Sequence, residues 1–178
     1  MTERRGNPIT LLLGAWVGAR LDKFESILVL IFVMGLILRI TMGWPVFLLI
    51  YLSLGLLSLM YLLNASAMDL GDTPEVWARI LNKLASWSCS IGVLGMLFRI
   101  LNYPGYDKML MIGGIGLLII FPFMIRLNLK SDSGPWFGHR WLIRVFLIAV
   151  LGLTLNFAPT DKLIDMGLID HPEVEMTE

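Results

Sequence analysis

Apolar residues occur along this chain in long, nearly unbroken runs, and polar residues fall mostly at the ends of the runs and between them. A run of about 20 apolar residues can cross the hydrocarbon core of a bilayer as a helix. Helices are favoured there because every backbone N–H and C=O group must find its partner within the segment. The pattern therefore predicts five transmembrane helices, at residues 26–41, 44–63, 85–101, 108–127 and 141–158.

Residues 1–25 precede the first predicted span and carry only a shorter apolar stretch, which Gly14, Gly18 and Arg20 interrupt. Pro8 suits the first position of a helix. We predict an interfacial helix on the cytoplasmic side here, and a cleaved signal peptide is the alternative.

The other polar segments connect or follow the spans. Residues 64–84 form a cytoplasmic connector, in which Pro74 predicts the start of a helix that runs into the third span. Residues 128–140 form a cytoplasmic loop, and residues 159–178 form an acidic tail on the outer side. Within that tail we expect a short helix that ends at Gly167.

The first and second pairs of spans resemble each other. The sequence GLILRI at residues 35–40 recurs as GMLFRI at residues 95–100, sixty positions later. An aromatic–proline pair follows each arginine, and a glycine follows ten residues after each proline; the pairs are Trp44-Pro45 and Tyr103-Pro104. We interpret the units as two duplicated hairpins in parallel, and convergent turn chemistry is the alternative.

Composition agrees with a polytopic, all-α integral membrane protein. The 57% hydrophobic and 16% charged shares exclude a soluble multidomain enzyme and a disordered chain. The only cysteine, Cys89, excludes an intramolecular disulfide. Although the formal net charge is zero, ten of the 14 Lys and Arg residues fall on one predicted side of the bilayer. The positive-inside rule then places the N-terminus in the cytoplasm and the C-terminus in the periplasm of a bacterial inner membrane.

Polar and aromatic residues gather at the predicted outer turns. Arg39, Trp44, Arg99, Tyr103 and Asp107 form a candidate site for a lipid phosphate or for an acidic segment of a partner. Anchoring of the helices at the headgroup level is the structural alternative, because long basic side chains and aromatic rings commonly lie there.

Small residues mark a second feature of the second hairpin. Gly92, Gly95, Gly113 and Gly114 allow close helix approach, so we expect the third and fourth spans to pack tightly. Self-association through this face is a further hypothesis, and the general abundance of glycine in membrane helices is the alternative.

The sequence offers little catalytic chemistry. His139 and His171 fall on opposite predicted sides of the bilayer, and no nucleotide-binding, zinc-protease or hydrolase motif occurs. We therefore expect no metal, no cofactor and no catalytic residue. A nucleic-acid partner is not expected either, because no basic stripe is present.

The stretch GMLFRILNYPG at residues 95–105, with the apolar residues 109–120 after it, resembles the membrane hairpin of the gliding-motility and type 9 secretion motor subunit family GldL. The resemblance implies a periplasmic turn and an ion-driven motor built with a partner membrane protein. This sequence departs from that pattern, because residues 109–125 contain no Asp, Glu, His or Lys. We therefore expect a shared hairpin without motor activity.

These features together predict a non-enzymatic inner-membrane subunit or accessory scaffold of a larger complex of the gliding or secretion type. Its expected partners are membrane lipids and other integral membrane proteins, or further copies of itself. The alternatives are a small oligomeric transporter or channel, and an enzyme that acts on lipid headgroups.

Overall fold

The computed structural model describes residues 8–42, 47–67, 76–130 and 137–169. Within these ranges the chain forms six helices and no strand: α1 (Pro8–Met42), α2 (Phe47–Ala67), α3 (Val76–Ile100), α4 (Tyr106–Lys130), α5 (His139–Phe157) and α6 (Thr160–Asp165). The first five are long and apolar enough to cross a membrane. The predicted all-α fold with five membrane-length helices is confirmed.

Helix α1 differs from the expectation at its start. It is one continuous helix of 35 residues, so residues 8–25 run without a break into the predicted first span. Gly14 and Gly18 do not end it, because an interior glycine costs only about 1 kcal/mol relative to alanine. At 1.5 Å a residue the helix is about 52 Å long, well beyond a hydrocarbon core of about 30 Å. The part that qualifies as a span is Lys23–Thr41, and an interfacial position of the preceding residues stays a prediction.

The turn between α3 and α4 is closed by a left-handed helix end. Asn102 has φ +53°, and its N–H group donates to the carbonyl of Arg99 at 3.2 Å, while the N–H group of Tyr103 donates to the carbonyl of Phe98 at 2.8 Å. The Phe98 and Tyr103 rings meet edge to face with centroids 5.7 Å apart. The two hydrogen bonds satisfy carbonyl groups that have no partner within the last turn of a helix. The contact between the two rings accompanies them and stabilises the same helix end.

Helix α6 ends in the same way. Gly167 has φ +70°, its N–H group donates to the carbonyl of Ile164 at 2.8 Å, and the N–H group of Leu168 donates to that of Leu163 at 2.9 Å. Leu163 and Ile169 are buried, so they fasten the segment around α6 to the end of the bundle. The short helix predicted to end at Gly167 is therefore present.

Helix α3 lies at the centre of the bundle. It packs against α2, α4 and α5, whereas α1 packs only against α2 among the described helices. The α3–α4 contact is very close, because a Cβ atom added to Gly113 would lie 2.6 Å from the Cα atom of Gly92. Gly95 also lies at this contact, against Leu110, whereas Gly114 faces Leu153 of α5.

The two hairpins share one packing detail. A Cβ atom added to Gly35 in α1 would lie 3.3 Å from the Ile50 side chain in α2, and one added to Gly95 in α3 would lie 3.1 Å from the Leu110 side chain in α4. Gly95 stands sixty positions after Gly35, but the prolines and glycines after the two turns stand fifty-nine positions apart, so Ile50 aligns with Met109 and not with Leu110. The two glycine contacts are therefore similar, but their partners in α2 and α4 are one residue out of register with the repeat, and an origin by duplication stays a hypothesis.

Candidate functional site

The two arginines of the repeated sequence hold the C-terminal segment of the described chain. Arg39 donates from Nε to the carbonyl of Gly167 at 2.9 Å. Arg99 donates from Nη2 to the carbonyl of Ala158 at 2.8 Å and reaches the Thr160 hydroxyl at 3.2 Å. Carbonyl groups at a helix end lack intrahelical partners, so a guanidinium satisfies them well. These residues were expected to face lipid or a partner, but the structure places both side chains on the backbone around α6.

Arg99 is the more deeply buried of the pair, with 2% of its surface exposed. Its guanidinium carbon lies 4.3 Å from the centroid of the Tyr106 ring, a distance at which the ring face attracts a cation. In the part of the chain that the structure describes, its Nε and Nη1 atoms are buried without a hydrogen-bond partner. The described residues therefore leave two donor atoms of this side chain unused.

The other predicted site residues are placed separately. Tyr103 is 51% exposed and packs on Phe98. Asp107 is exposed in the first turn of α4, where a carboxylate stabilises the positive end of the helix macrodipole. Trp44 lies outside the described residues. Among the four described members, Arg39 and Arg99 thus meet at the segment around α6, and a common binding site for all five stays a prediction.

An apolar cavity of about 240 Å³ lies beside Arg99. It is bounded by α1, α3 and α5, and the segment around α6 closes it at the end of the bundle where the two arginines lie. Apart from Arg99 and Thr154, its lining is hydrophobic. We call this space the α6 cavity. The surface that bounds it is entirely apolar, so Arg99 and Thr154 border it without presenting a polar atom to it.

A second polar cluster lies toward the opposite end of the same gap between α1 and α5. The Tyr61 hydroxyl in α2 donates to Oε1 of Glu25 in α1 at 2.8 Å, and Nε of Arg144 in α5 forms an ion pair with Oε2 of Glu25 at 2.8 Å. Tyr61 is fully buried, and its ring lies 6.1 Å from that of Trp141. The three side chains, called the ion-pair cluster below, connect three helices.

Sequence reasoning missed the ion-pair cluster. Glu25 is the last residue of the predicted N-terminal segment 1–25, and Arg144 lies inside the predicted span 141–158. An arginine within an apolar run requires a nearby counter-charge, because an unpaired charge in hydrocarbon is costly. That requirement was a usable signal, and Glu25 beside the first span was a candidate acid.

Hydroxyl and amide groups join α2 to α3. The Ser58 hydroxyl lies 3.0 Å from the carbonyl of Ser90, and the Ser90 hydroxyl lies 2.9 Å from that of Ser58. Asn64 donates from Nδ2 to the Ser86 hydroxyl at 3.2 Å. All four side chains are buried. Hydrogen bonds of this kind favour helix association inside a membrane.

The described ranges contain no group of three His, Cys, Asp or Glu side chains that could hold a metal ion. Cys89 is buried in α3.

The chain matches no family model, and comparisons with characterised proteins and with solved structures found no similar protein.

Proposed function

We propose that this chain is a non-enzymatic integral membrane subunit that binds another membrane protein along α1, within a larger complex of a bacterial inner membrane. In this proposal the N-terminus is cytoplasmic and the C-terminus periplasmic, in accordance with the distribution of Lys and Arg. The role is that of a scaffold, since the polar contacts described above join helices of this chain to one another.

The observation that carries the proposal is the exposure of α1. Only 17% of its span Lys23–Thr41 is buried, the lowest share of the five spans, although α5 is close to it at 22%; the shares are 33% for α4, 44% for the α2 span and 50% for α3. Its exposed apolar residues recur along one broad face of the helix: Ile27, Val29, Leu30, Val33, Met34, Ile37 and Ile40. A shallow surface groove on the same helix is lined by Ser26, by Leu38 and by five residues of this face, which are Val29, Leu30, Val33, Met34 and Ile37. A partner helix could pack there along several turns.

A photoreactive amino acid can test this surface in cells. Leu30 in α1 is 63% exposed and Ile112 in α4 is 62% exposed, so the two positions form a matched pair. We expect crosslinking at position 30 to give discrete adducts with one membrane protein, and position 112 to give mainly lipid adducts. The proposal fails if both positions give lipid adducts only, or if the protein is a monomer without associated chains after several gentle extractions.

The identity of the crosslinked chain tests the rest of the proposal. The hairpin resemblance at residues 95–105 supports a complex of the gliding or secretion type. A component of such machinery in the position 30 adduct would agree with it, whereas an adduct of twice this chain's mass would indicate self-association instead.

A second candidate function, a small oligomeric transporter or channel, is favoured by the ion-pair cluster. Ionisable side chains in membrane helices often mark a path for ions or protons. Purified protein in liposomes should then show ion flux that changes when Glu25→Gln removes the carboxylate, while Lys23→Gln, at an exposed position in the same helix, leaves the flux unchanged. Absence of flux above that of protein-free liposomes would exclude this candidate under the conditions used.

A further inference from the structure

We propose that the groove between α3 and α4 binds one anionic phospholipid, with an acyl chain along the groove and the phosphate held by Arg126 and Lys130. This inference concerns a lipid ligand and does not depend on the proposed partner of α1.

The shape of the groove is the first argument. It has a volume of about 470 Å³, which lies within the range of about 300–1,000 Å³ typical of ligand sites. Leu81 and Leu84 of α3 line one wall, and Ile119, Phe123 and Leu127 of α4 line the other. Leu84, Ile119 and Phe123 are between 43% and 58% exposed, so an acyl chain from the bilayer can lie in the groove and contact both helices.

The length of the groove matches the depth of one leaflet. Its lining in α4 runs from Ile119, near the middle of the helix, to Lys130, its last residue. This distance along the helix is about 16 Å at 1.5 Å a residue, and half of a hydrocarbon core of about 30 Å is about 15 Å. An acyl chain in the groove therefore places its headgroup at the level of the last turn of α4.

Two cationic side chains stand at that level. Arg126 and Lys130 both line the groove and are exposed, and they lie four residues apart on one face of α4, so they can reach the same group. Because the walls of the groove are almost entirely apolar, both side chains border it with their alkyl stems, and their charged ends extend toward the headgroups. Trp77 of α3, 67% exposed, lines the same end, and indole rings commonly lie at the headgroup level.

The two cations select the headgroup. A phosphodiester carries one negative charge and accepts charge-assisted hydrogen bonds from arginine and lysine, which are stronger than neutral ones. A choline or ethanolamine headgroup would bring its own ammonium group toward Arg126 and Lys130, where like charges repel. A glycerol headgroup brings only hydroxyl groups. Phosphatidylglycerol, an anionic lipid, therefore fits the pair better than phosphatidylcholine does.

Native mass spectrometry of the full chain, released from detergent micelles, can test the site with three probes. Phosphatidylglycerol and phosphatidylcholine with identical acyl chains differ only in the headgroup, and glycerol phosphate carries a phosphate without acyl chains. We expect one phosphatidylglycerol per chain, retained about tenfold more strongly than phosphatidylcholine, because two cations near an anionic lipid each favour it. Glycerol phosphate at the same concentration should not be retained.

Charge variants test the two cations. Arg126→Gln and Lys130→Gln should each reduce the preference for phosphatidylglycerol, and the double variant should bring it to within about twofold of phosphatidylcholine. Lys108→Gln is the matched control, because Lys108 is an exposed lysine in the same helix at its opposite end. It should leave the preference unchanged.

A shape variant keeps both cations. Leu84→Trp narrows the groove and should reduce the retention of both lipids. Leu118→Trp is its matched control, since Leu118 is 44% exposed against 43% for Leu84 and does not line the groove. This control should retain phosphatidylglycerol as the original chain does.

The proposal is overturned if the two lipids are retained equally, as they would be if acidic residues elsewhere in the chain neutralised Arg126 and Lys130. It is also overturned if the double variant keeps the preference, if Lys108→Gln loses it to the same extent as Lys130→Gln, or if Leu84→Trp and Leu118→Trp retain the lipids equally. Retention of glycerol phosphate as strong as that of phosphatidylglycerol would assign the site to a soluble anion instead.

Discussion

Arg39 and Arg99, sixty positions apart in the repeated sequence, donate hydrogen bonds to backbone carbonyls on the two sides of the same short helix. Arg39 reaches Gly167 after α6, and Arg99 reaches Ala158 before it. The repeated sequence thus supplies two equivalent cations to one structural task, which is to hold the C-terminal segment across the end of the bundle.

Removing either arginine should loosen α6. We expect Arg39→Gln and Arg99→Gln to lower the free energy of local opening by about 1.5–3 kcal/mol each, since each deletes a hydrogen bond from a charged donor. Hydrogen–deuterium exchange of residues 158–169 should rise in both variants. Lys162→Gln, an exposed position on α6, is the control and should leave exchange unchanged. Equal exchange in all the proteins would mean that apolar contacts alone hold the segment.

Removing one charged partner of the ion-pair cluster should lower the free energy of unfolding much more than removing both Glu25 and Arg144. Glu25→Ala leaves the Arg144 guanidinium without its Glu25 partner and should lower the free energy of unfolding by about 3–5 kcal/mol. Tyr61→Phe removes one hydrogen bond to the carboxylate and should cost about 1.5–3 kcal/mol.

Glu25→Leu combined with Arg144→Met should cost less than Glu25→Ala alone, because the Arg144 guanidinium is then no longer left without the Glu25 carboxylate. Thermal unfolding in detergent measures all these variants, with Lys23→Gln as the control. A double variant less stable than Glu25→Ala would show that the cluster contributes through more than its charges.

The close α3–α4 contact should not accept a methyl group at Gly113. A Cβ atom there would lie 2.6 Å from backbone atoms of Gly92, so Gly113→Ala must separate the helices and should cost about 1–3 kcal/mol. Gly55→Ala in α2 is the matched control, because a Cβ atom at Gly55 meets no atom within 4 Å. The control should be neutral or stabilising by up to about 1 kcal/mol, as alanine favours a helix interior. Equal thermal stability of the two variants would contradict the close contact.

Asn102 tests the turn that closes the second hairpin. A left-handed backbone costs a residue with a Cβ atom about 1–2 kcal/mol, and asparagine tolerates it better than most residues. Asn102→Ala should therefore destabilise the hairpin by about 1 kcal/mol, whereas Asn102→Gly should be neutral or stabilising. Thermal unfolding of the two variants distinguishes these outcomes, and a stability loss with glycine but not with alanine would contradict the left-handed conformation at φ +53°.

The helices could be predicted from the sequence because an apolar run long enough to cross a bilayer must satisfy its backbone hydrogen bonds within itself, and a helix does so. The start of α1 could not, since an apolar run broken by Gly14, Gly18 and Arg20 is compatible both with a separate surface helix and with the beginning of a long one. The end of a short helix could also be predicted from a single residue, since Gly167 takes the left-handed conformation just after α6.

The partners of the polar side chains required knowledge of which helices are neighbours. Arg39 binds a carbonyl 128 positions away, and no local pattern indicates that distance. Snorkelling to headgroups was the reasonable expectation for an arginine near a span end. Glu25 and Arg144 likewise meet only because α1 and α5 both border the same gap in the bundle.

That gap has a mechanical consequence. Helices α1 and α5 are joined across it near one end by the Glu25–Arg144 ion pair, and at the other end through Arg39 and the segment after α6, with no backbone packing between them at mid-depth. A bilayer thicker or thinner than the apolar belt tilts membrane helices to restore the match. We therefore expect a change in the tilt of α1 relative to α5 to lengthen the Glu25–Arg144 ion pair and the Arg39–Gly167 hydrogen bond before other contacts. Bilayer thickness would in this way affect how firmly the C-terminal segment is attached.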